Sequence, residues 1–90
     1  MPIKQGTLEI RNELGMHARA ATKFVQTANR HKSEITVEKD GQVVNGKSIM
    51  GVLMLVASKG TRIKVKASGE DAAAALSALS TLVRDKFGEH

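Results

Sequence analysis

The sequence predicts an α+β fold in two layers, with helices packed on one face of a β-sheet. Three observations predict this fold class: some segments alternate apolar and polar residues, others repeat apolar residues at helical spacing, and Asp40-Gly41 marks a hairpin. Their order along the chain is β-α-β-β-α-β-α. Because alternate strand residues are charged or polar, we expect one sheet face to meet solvent and all helices to cover the other.

Four segments are predicted as strands. Thr7–Arg11 and Glu34–Glu38 both alternate apolar and polar residues. At Asp40-Gly41 the chain is expected to turn back into a short strand, Gln42–Asn45, because type I′ turns need positive φ and Gly adopts it at little cost. The last strand, Thr61–Ala67, has apolar residues on one face and basic residues on the other.

Three segments are predicted as helices. The first runs from Ala18 to Asn29 and is amphipathic. Ser48 is suited to be the N-cap of a short second helix, which Lys59-Gly60 closes. The third opens at Ser68–Asp71, with acids in its first turn, where they favour the helix dipole. The predicted buried residues are Ala21, Phe24, Val25 and Ala28 in the first helix, Val52 and Leu55 in the second, and Ala72, Ala75, Leu76, Leu79, Leu82 and Val83 in the third.

Composition limits the kinds of protein this chain can be. Residues 1–90 are predicted to form one domain, and 41% hydrophobic with 26% charged residues is close to the globular average. The absence of cysteine excludes disulfides and thiolate metal sites. With two Phe, no Tyr and no Trp, the chain lacks the stacking residues of common single-stranded nucleic-acid binders. Three His without clustered carboxylates predict no metal site, and we expect His31 to be solvated and His90 to have no role.

The net charge of +5 has two readings. It indicates either a soluble surface or one that attracts acidic partner proteins and phosphorylated groups. The N-terminus lacks the long apolar run of a signal peptide. The longest apolar stretch, Ile49–Ala57, is shorter than the roughly 20 residues that span a bilayer. We therefore expect a cytoplasmic protein without membrane insertion.

His17 is the candidate for chemistry. It lies between a loop and the first helix, with Arg19 two residues later. The first N–H groups of a helix have no intrahelical partner and carry partial positive charge, so they bind anions. Imidazole is nucleophilic at cellular pH, and a phosphoryl group on His17 would meet these N–H groups and the Arg19 guanidinium. The alternative is an ordinary surface histidine followed by an arginine.

The apolar run after Ser48 is the second candidate feature. A short helix that is apolar nearly all round cannot bury every side chain in so small a core. Burial is expected for Val52 and Leu55. For Ile49, Met50 and Leu53 we expect a docking surface, since exposed apolar patches mark interaction sites and Met adapts to several partners.

Two motifs together resemble those of the HPr family, the histidine-containing phosphocarriers of the bacterial phosphoenolpyruvate–sugar phosphotransferase system. They are Gly15-Met16-His17-Ala18-Arg19-Ala20-Ala21 and Val44-Asn45-Gly46-Lys47-Ser48-Ile49-Met50-Gly51-Val52, and the segment Ala67–Asp71 agrees as well. The resemblance covers essentially the whole chain. It implies an open-faced β-sandwich, in which three helices cover one face of a four-stranded antiparallel sheet.

The resemblance also implies a function. Enzyme I, using phosphoenolpyruvate, would phosphorylate His17 on Nδ1, Arg19 would stabilise the phosphoryl group, and enzyme IIA-type proteins would accept it. In many members a dedicated HPr kinase/phosphorylase modifies the serine that corresponds to Ser48. The chain would be a monomeric carrier, not an enzyme, and would need no cofactor. The implied partner-binding residues are Met16, Ala20, Ile49, Met50 and Leu53.

One departure from the family pattern is Ala20, which stands where the family usually has Pro. Pro preorganises the first helical turn, whereas Ala is the best helix former, so the fold is not affected. A nitrogen-related branch of the family remains an alternative to the sugar-uptake branch. A regulatory module read through the phosphorylation of Ser48 is a second functional class, and a nucleic-acid-binding domain, supported by charge alone, is a third.

Overall fold

A computed structural model describes residues 1–89, so the expectation for His90 lies outside the described residues. The elements follow the predicted order, and a single 3₁₀ turn, Lys86–Gly88, comes after the last helix. No helix within residues 1–89 is long and apolar enough to cross a membrane. The elements are β1 (Ile3–Glu9), α1 (Ala18–Asn29), β2 (Glu34–Lys39), β3 (Gln42–Asn45), α2 (Ile49–Met54), β4 (Arg62–Ser68) and α3 (Ala72–Arg84).

The four strands form one antiparallel sheet in the order β1-β4-β2-β3. Along β4 the buried residues Ile63, Val65 and Ala67 alternate with exposed basic residues. The buried face packs against the helices, where Phe24 of α1 and Leu79 of α3 are fully buried. This arrangement confirms the two-layer fold with one open sheet face.

The bounds of β1 and α2 differ most from the prediction. β1 spans Ile3–Glu9 rather than Thr7–Arg11, because its first residues, although exposed and without alternation, pair with β4 as far as Ser68. α2 ends at Met54 instead of continuing to Lys59-Gly60. Val56, two residues after that end, has a φ of 50°, which is incompatible with a continued right-handed helix.

The acidic start predicted for α3 was also wrong. Asp71 is the N-cap residue, yet its carboxylate makes no capping bond and instead binds the loop between α1 and β2. Its Oδ2 accepts from the Lys32 N–H at 2.8 Å, and its Oδ1 accepts from the Ser33 N–H at 2.9 Å and from the Ser33 hydroxyl. The Ser33 hydroxyl first, and then the Lys32 N–H, lower the pKa of Asp71 from 3.8 to about 2. Asp71 therefore ties the start of α3 to the loop before β2.

We predict that Asp71 makes the stability depend on acid. Because its pKa is lower in the folded state, its contribution is full above about pH 4 and disappears as the pH falls towards about 2. Asp71→Asn removes this contribution, since an amide does not titrate and has an NH₂ group in place of one of the two accepting oxygens. Urea unfolding between these pH values should show a smaller loss of stability in Asp71→Asn than in the unchanged protein.

Asp85→Asn is the matched control, because Asp85 makes no side-chain capping bond. It should retain the acid-dependent loss of the unchanged protein. An equal loss in Asp71→Asn and in the unchanged protein would show that the carboxylate does not stabilise the fold.

Candidate functional site

His17 lies between a loop and α1, as predicted, and is the N-cap residue of that helix. Its backbone is extended, and its carbonyl accepts the first helical bond from the Ala21 N–H at 2.8 Å. The ring nitrogen Nδ1 accepts from the Arg19 N–H at 3.2 Å. The side chain is 28% exposed. His17 therefore presents one ring nitrogen to the positive end of a helix and remains accessible from solvent.

The position of His17 is fixed by the close approach of Gly15 to the loop after α2. Gly15 has a φ of 67°, and a Cβ there would lie 2.6 Å from the Ala57 carbonyl oxygen. The next residue, Met16, donates its N–H to the same carbonyl at 2.8 Å. Only glycine accommodates both the positive φ and this contact, so the residue type at position 15 determines where α1 begins.

The other ring nitrogen contacts Glu89, which in turn contacts Asn12, and the sequence reasoning missed both residues. The Nε2 atom of His17 lies 2.5 Å from Oε2 of Glu89, and Oε1 of Glu89 accepts from the side-chain amide of Asn12 at 2.9 Å. The Asn12 amide first, and then His17, lower the pKa of Glu89, although burial opposes them. The carboxylate is therefore ionised beside the imidazole at neutral pH.

Glu89 reaches this position through a segment that we name the C-terminal strap, residues Lys86–Glu89. Lys86 and Phe87 have φ values of 57° and 56°, which turn the chain back after α3. The Phe87 ring is fully buried, and its carbonyl accepts from the Lys23 ammonium at 2.6 Å. The sequence signal that could have indicated this segment is Phe87, an isolated apolar residue after the last buried position of α3.

Arg19 shares an open cleft of about 680 Å³ with His17, Leu14, Lys86 and Glu89. Its side chain is exposed and forms no ion pair within the described residues 1–89. The cationic side chains of Arg19 and Lys86 thus line the same cleft as the imidazole. Such a cleft has room for a small anion beside the ring.

Ser48 is the N-cap of α2, as predicted. Its hydroxyl accepts from the Gly51 N–H at 3.1 Å, and the side chain is partly exposed. The preceding residue, Lys47, donates its ammonium to the His31 carbonyl at 2.7 Å, which holds the turn before α2. His31, which was expected to be solvated, is half-buried, and its Nδ1 lies 3.1 Å from the Thr27 carbonyl.

The predicted partner-binding residues are not all on the surface. Met16 and Ala20 are 5% and 0% exposed, so neither offers a side chain to a partner in this structure. Met16 packs into the core beneath its bond to Ala57, and Ala20 lies on the core side of α1. The prediction that Met16 and Ala20 contact partner proteins is therefore wrong for this structure.

The other predicted partner-binding residues form an exposed patch on α2. Ile49 and Met50 are 41% and 71% exposed, and Leu53 is half-buried. Met54, which was not predicted, is 62% exposed and follows Met50 by one helical turn. We name Ile49, Met50, Leu53 and Met54 the α2 apolar surface. Since α2 packs against α1, this surface belongs to the same helical layer as His17.

Comparison with known proteins gives the family. Residues 4–85 match the family described as PTS HPr component phosphorylation site. Phosphocarrier protein HPr of Neisseria meningitidis is 53% identical over 83 residues, which cover 92% of this chain and 93% of that protein.

Solved structures agree with the sequence comparison. The crystal structure of HPr-C-His from Thermoanaerobacter tengcongensis has a TM-score of 0.94 at 49% identity, with 97% of this chain and 98% of that chain covered. A crystal structure of an HPr dimer from the same organism has a TM-score of 0.78 at 50% identity, with 96% and 99% covered. The chain therefore belongs to the HPr family, whose members are phosphocarrier proteins and not enzymes.

Proposed function

We propose that this chain accepts a phosphoryl group on Nδ1 of His17 from enzyme I, ultimately from phosphoenolpyruvate, and passes it to enzyme IIA-type proteins. One observation carries the proposal: Nδ1 accepts a hydrogen bond from the Arg19 N–H at the start of α1. A nitrogen that accepts this bond has a lone pair, and a lone pair on an accessible imidazole is the nucleophile that attack on phosphorus requires.

The surroundings of Nδ1 suit the phosphorylated form as well. Once Nδ1 is bonded to phosphorus, the Arg19 N–H loses its acceptor and is free to donate to a phosphoryl oxygen. The partial positive charge at the start of α1 stabilises the added negative charge. The Arg19 guanidinium, exposed in the same cleft, supplies a charged donor.

Partner proteins are proposed to dock on the α2 apolar surface. Its exposed Ile49, Met50 and Met54 are typical of an interaction site, and Met adapts to partners of different shape. The net charge of +5 favours acidic partner surfaces. We propose that the chain acts in the cytoplasm as a single domain and a monomer, although a relative of similar sequence crystallised as a dimer.

Ser48 supports a second, regulatory role. Its partly exposed hydroxyl lies at the start of α2, directly before the first residues of the α2 apolar surface. We propose that a dedicated HPr kinase/phosphorylase modifies this hydroxyl. A phosphate there would be compatible with the free N–H groups of α2 and would add about two negative charges beside the docking surface.

The first prediction concerns the nucleophile. His17→Ala should abolish labelling by enzyme I and labelled phosphoenolpyruvate. His17→Asn should do the same while retaining an N-cap acceptor, so loss of the cap is separated from loss of the nucleophile. The label on the unchanged protein should be acid-labile and stable in base, as phosphohistidine is. Normal labelling of either variant would overturn the assignment.

The second prediction concerns the Arg19 side chain. Arg19→Ala should slow phosphoryl transfer about tenfold or more, since a charged hydrogen bond contributes about 1.5–3 kcal/mol. The free energy of unfolding should change by less than about 1 kcal/mol, as for other surface substitutions. Arg30→Ala, at the opposite end of α1, removes the same charge and should transfer at the normal rate. Equal transfer rates for the two variants, whether normal or slowed, would contradict a specific role of the Arg19 side chain.

The third prediction concerns Ser48. Ser48→Asp should keep the cap of α2 but weaken binding to enzyme I about tenfold, which is about 1.4 kcal/mol. Ser48→Ala should lose about 1 kcal/mol of stability through the missing cap and bind normally. Titration calorimetry measures the affinities, and circular dichroism checks the fold. Equal affinities for the unchanged protein, Ser48→Asp and the authentic phosphoserine protein would leave Ser48 as a helix cap only.

A further inference from the structure

The second ring nitrogen of His17 has a partner that the proposed relay does not use. Nε2 lies 2.5 Å from the Glu89 carboxylate, and this carboxylate is held in turn by the buried side-chain amide of Asn12 at 2.9 Å. Glu89 belongs to the C-terminal strap, which lies outside the segment 4–85 that matches the family. The contact therefore joins the candidate nucleophile to the C-terminal strap.

We propose that Glu89 is a positioning residue, which holds His17 in the tautomer with its proton on Nε2 and balances the charge of the ring while Nδ1 carries the phosphoryl group. The inference deepens the proposed function and rests on His17 being the phosphoryl acceptor. Glu89 acts through His17 and does not contact the transferred group, because the ring separates Nε2 from the Nδ1 side.

The choice of tautomer follows from the two partners of the ring. Neutral imidazole has one N–H donor and one acceptor nitrogen. An ionised carboxylate only accepts, so the nitrogen beside Glu89 must carry the proton. A backbone N–H only donates, so the nitrogen beside Arg19 must carry the lone pair. Both contacts select the same form, in which Nδ1 is the nucleophile.

The same carboxylate balances charge during transfer. As the Nδ1 lone pair attacks, the Nδ1–P bond forms, the donor's bond to phosphorus breaks, and its electron pair returns to the donor. The Nε2 proton stays in place, so the phosphorylated ring becomes a cation. Glu89 provides the matching anion at 2.5 Å. When the phosphoryl group leaves, Nδ1 recovers its lone pair and no proton has to be exchanged with solvent.

The side chain of Asn12 holds the Glu89 carboxylate in place. This side chain is 1% exposed, and its amide nitrogen donates both to the Gly15 carbonyl at 2.8 Å and to Glu89. Its Oδ1 has no hydrogen-bond partner among residues 1–89. A buried acceptor without a partner is unfavourable. The amide nevertheless keeps this orientation, because rotating it would break both donated bonds. Its oxygen would then face the oxygens of Gly15 and Glu89.

Glu89→Gln is the sharpest test, because it preserves shape and replaces one of the two carboxylate oxygens by an NH₂ group. Asn12 and His17 contact different oxygens of Glu89, so one of the two contacts loses its acceptor. With the oxygen on Asn12, the NH₂ group faces Nε2 and favours the opposite tautomer. Glu13→Gln is the matched control, since it removes the same charge from a nearby exposed residue whose carboxylate pairs with Lys59.

The first measurement is ¹⁵N NMR of the histidine rings in the full, unphosphorylated chain at a pH where His17 is neutral. The unchanged protein and Glu13→Gln should show Nε2 protonated and Nδ1 unprotonated. Glu89→Gln should show a substantial share of the Nδ1–H form. Backbone amide spectra check that the C-terminal strap remains folded. The same tautomer share in all three proteins would overturn the inference.

The second measurement is the initial rate at which enzyme I phosphorylates each protein. Glu89→Gln should be slower by about tenfold or more, the range seen when a group that orients a metal-binding histidine is removed. A normal rate despite a changed tautomer would overturn the positioning role. Failure of the unchanged protein to be labelled at His17 would instead refute the proposed function, and the NMR result would still decide which tautomer Glu89 selects.

Discussion

The close approach of the Gly15–Met16 backbone to the Ala57 carbonyl positions the start of α1, and the groups around His17 depend on that start. A helix beginning one residue earlier or later would turn the imidazole by about 100° around the helix axis. The Arg19 N–H would then no longer meet Nδ1, and Nε2 would leave Glu89. The backbone at position 15 thus positions both ring nitrogens of His17 for their partners, Arg19 and Glu89.

The small core explains why the C-terminal strap is part of the site. The chain has two aromatic residues, Phe24 in α1 and Phe87 in the strap, and both are fully buried. Burying a Phe side chain contributes about 1.5–3 kcal/mol. The strap is consequently held by the same hydrophobic effect as the helices. Its position brings a carboxylate to His17 without any further element.

Local signals in the sequence predicted local structure well. The bounds of α1 follow from apolar spacing within one helix, and the hairpin follows from Asp40-Gly41, whose φ values are 50° and 86°. Glu89 could not be predicted in this way, because its bond to His17 joins residues 72 positions apart. The burial of Met16 likewise depends on packing against distant segments. Residue types therefore indicated the nucleophile, whereas its supporting groups required the tertiary structure.

The open sheet face keeps the strands in register. Arg62 lies opposite Glu9 of β1, and Lys64 lies opposite Glu38 of β2, so opposite charges meet across both pairings of the central strand. A slip of β4 by one residue would turn its basic side chains into the core and its buried Ile63 into water. The charged residues on the solvent-exposed face therefore help to set the strand register, together with the packing of the helices on the other face.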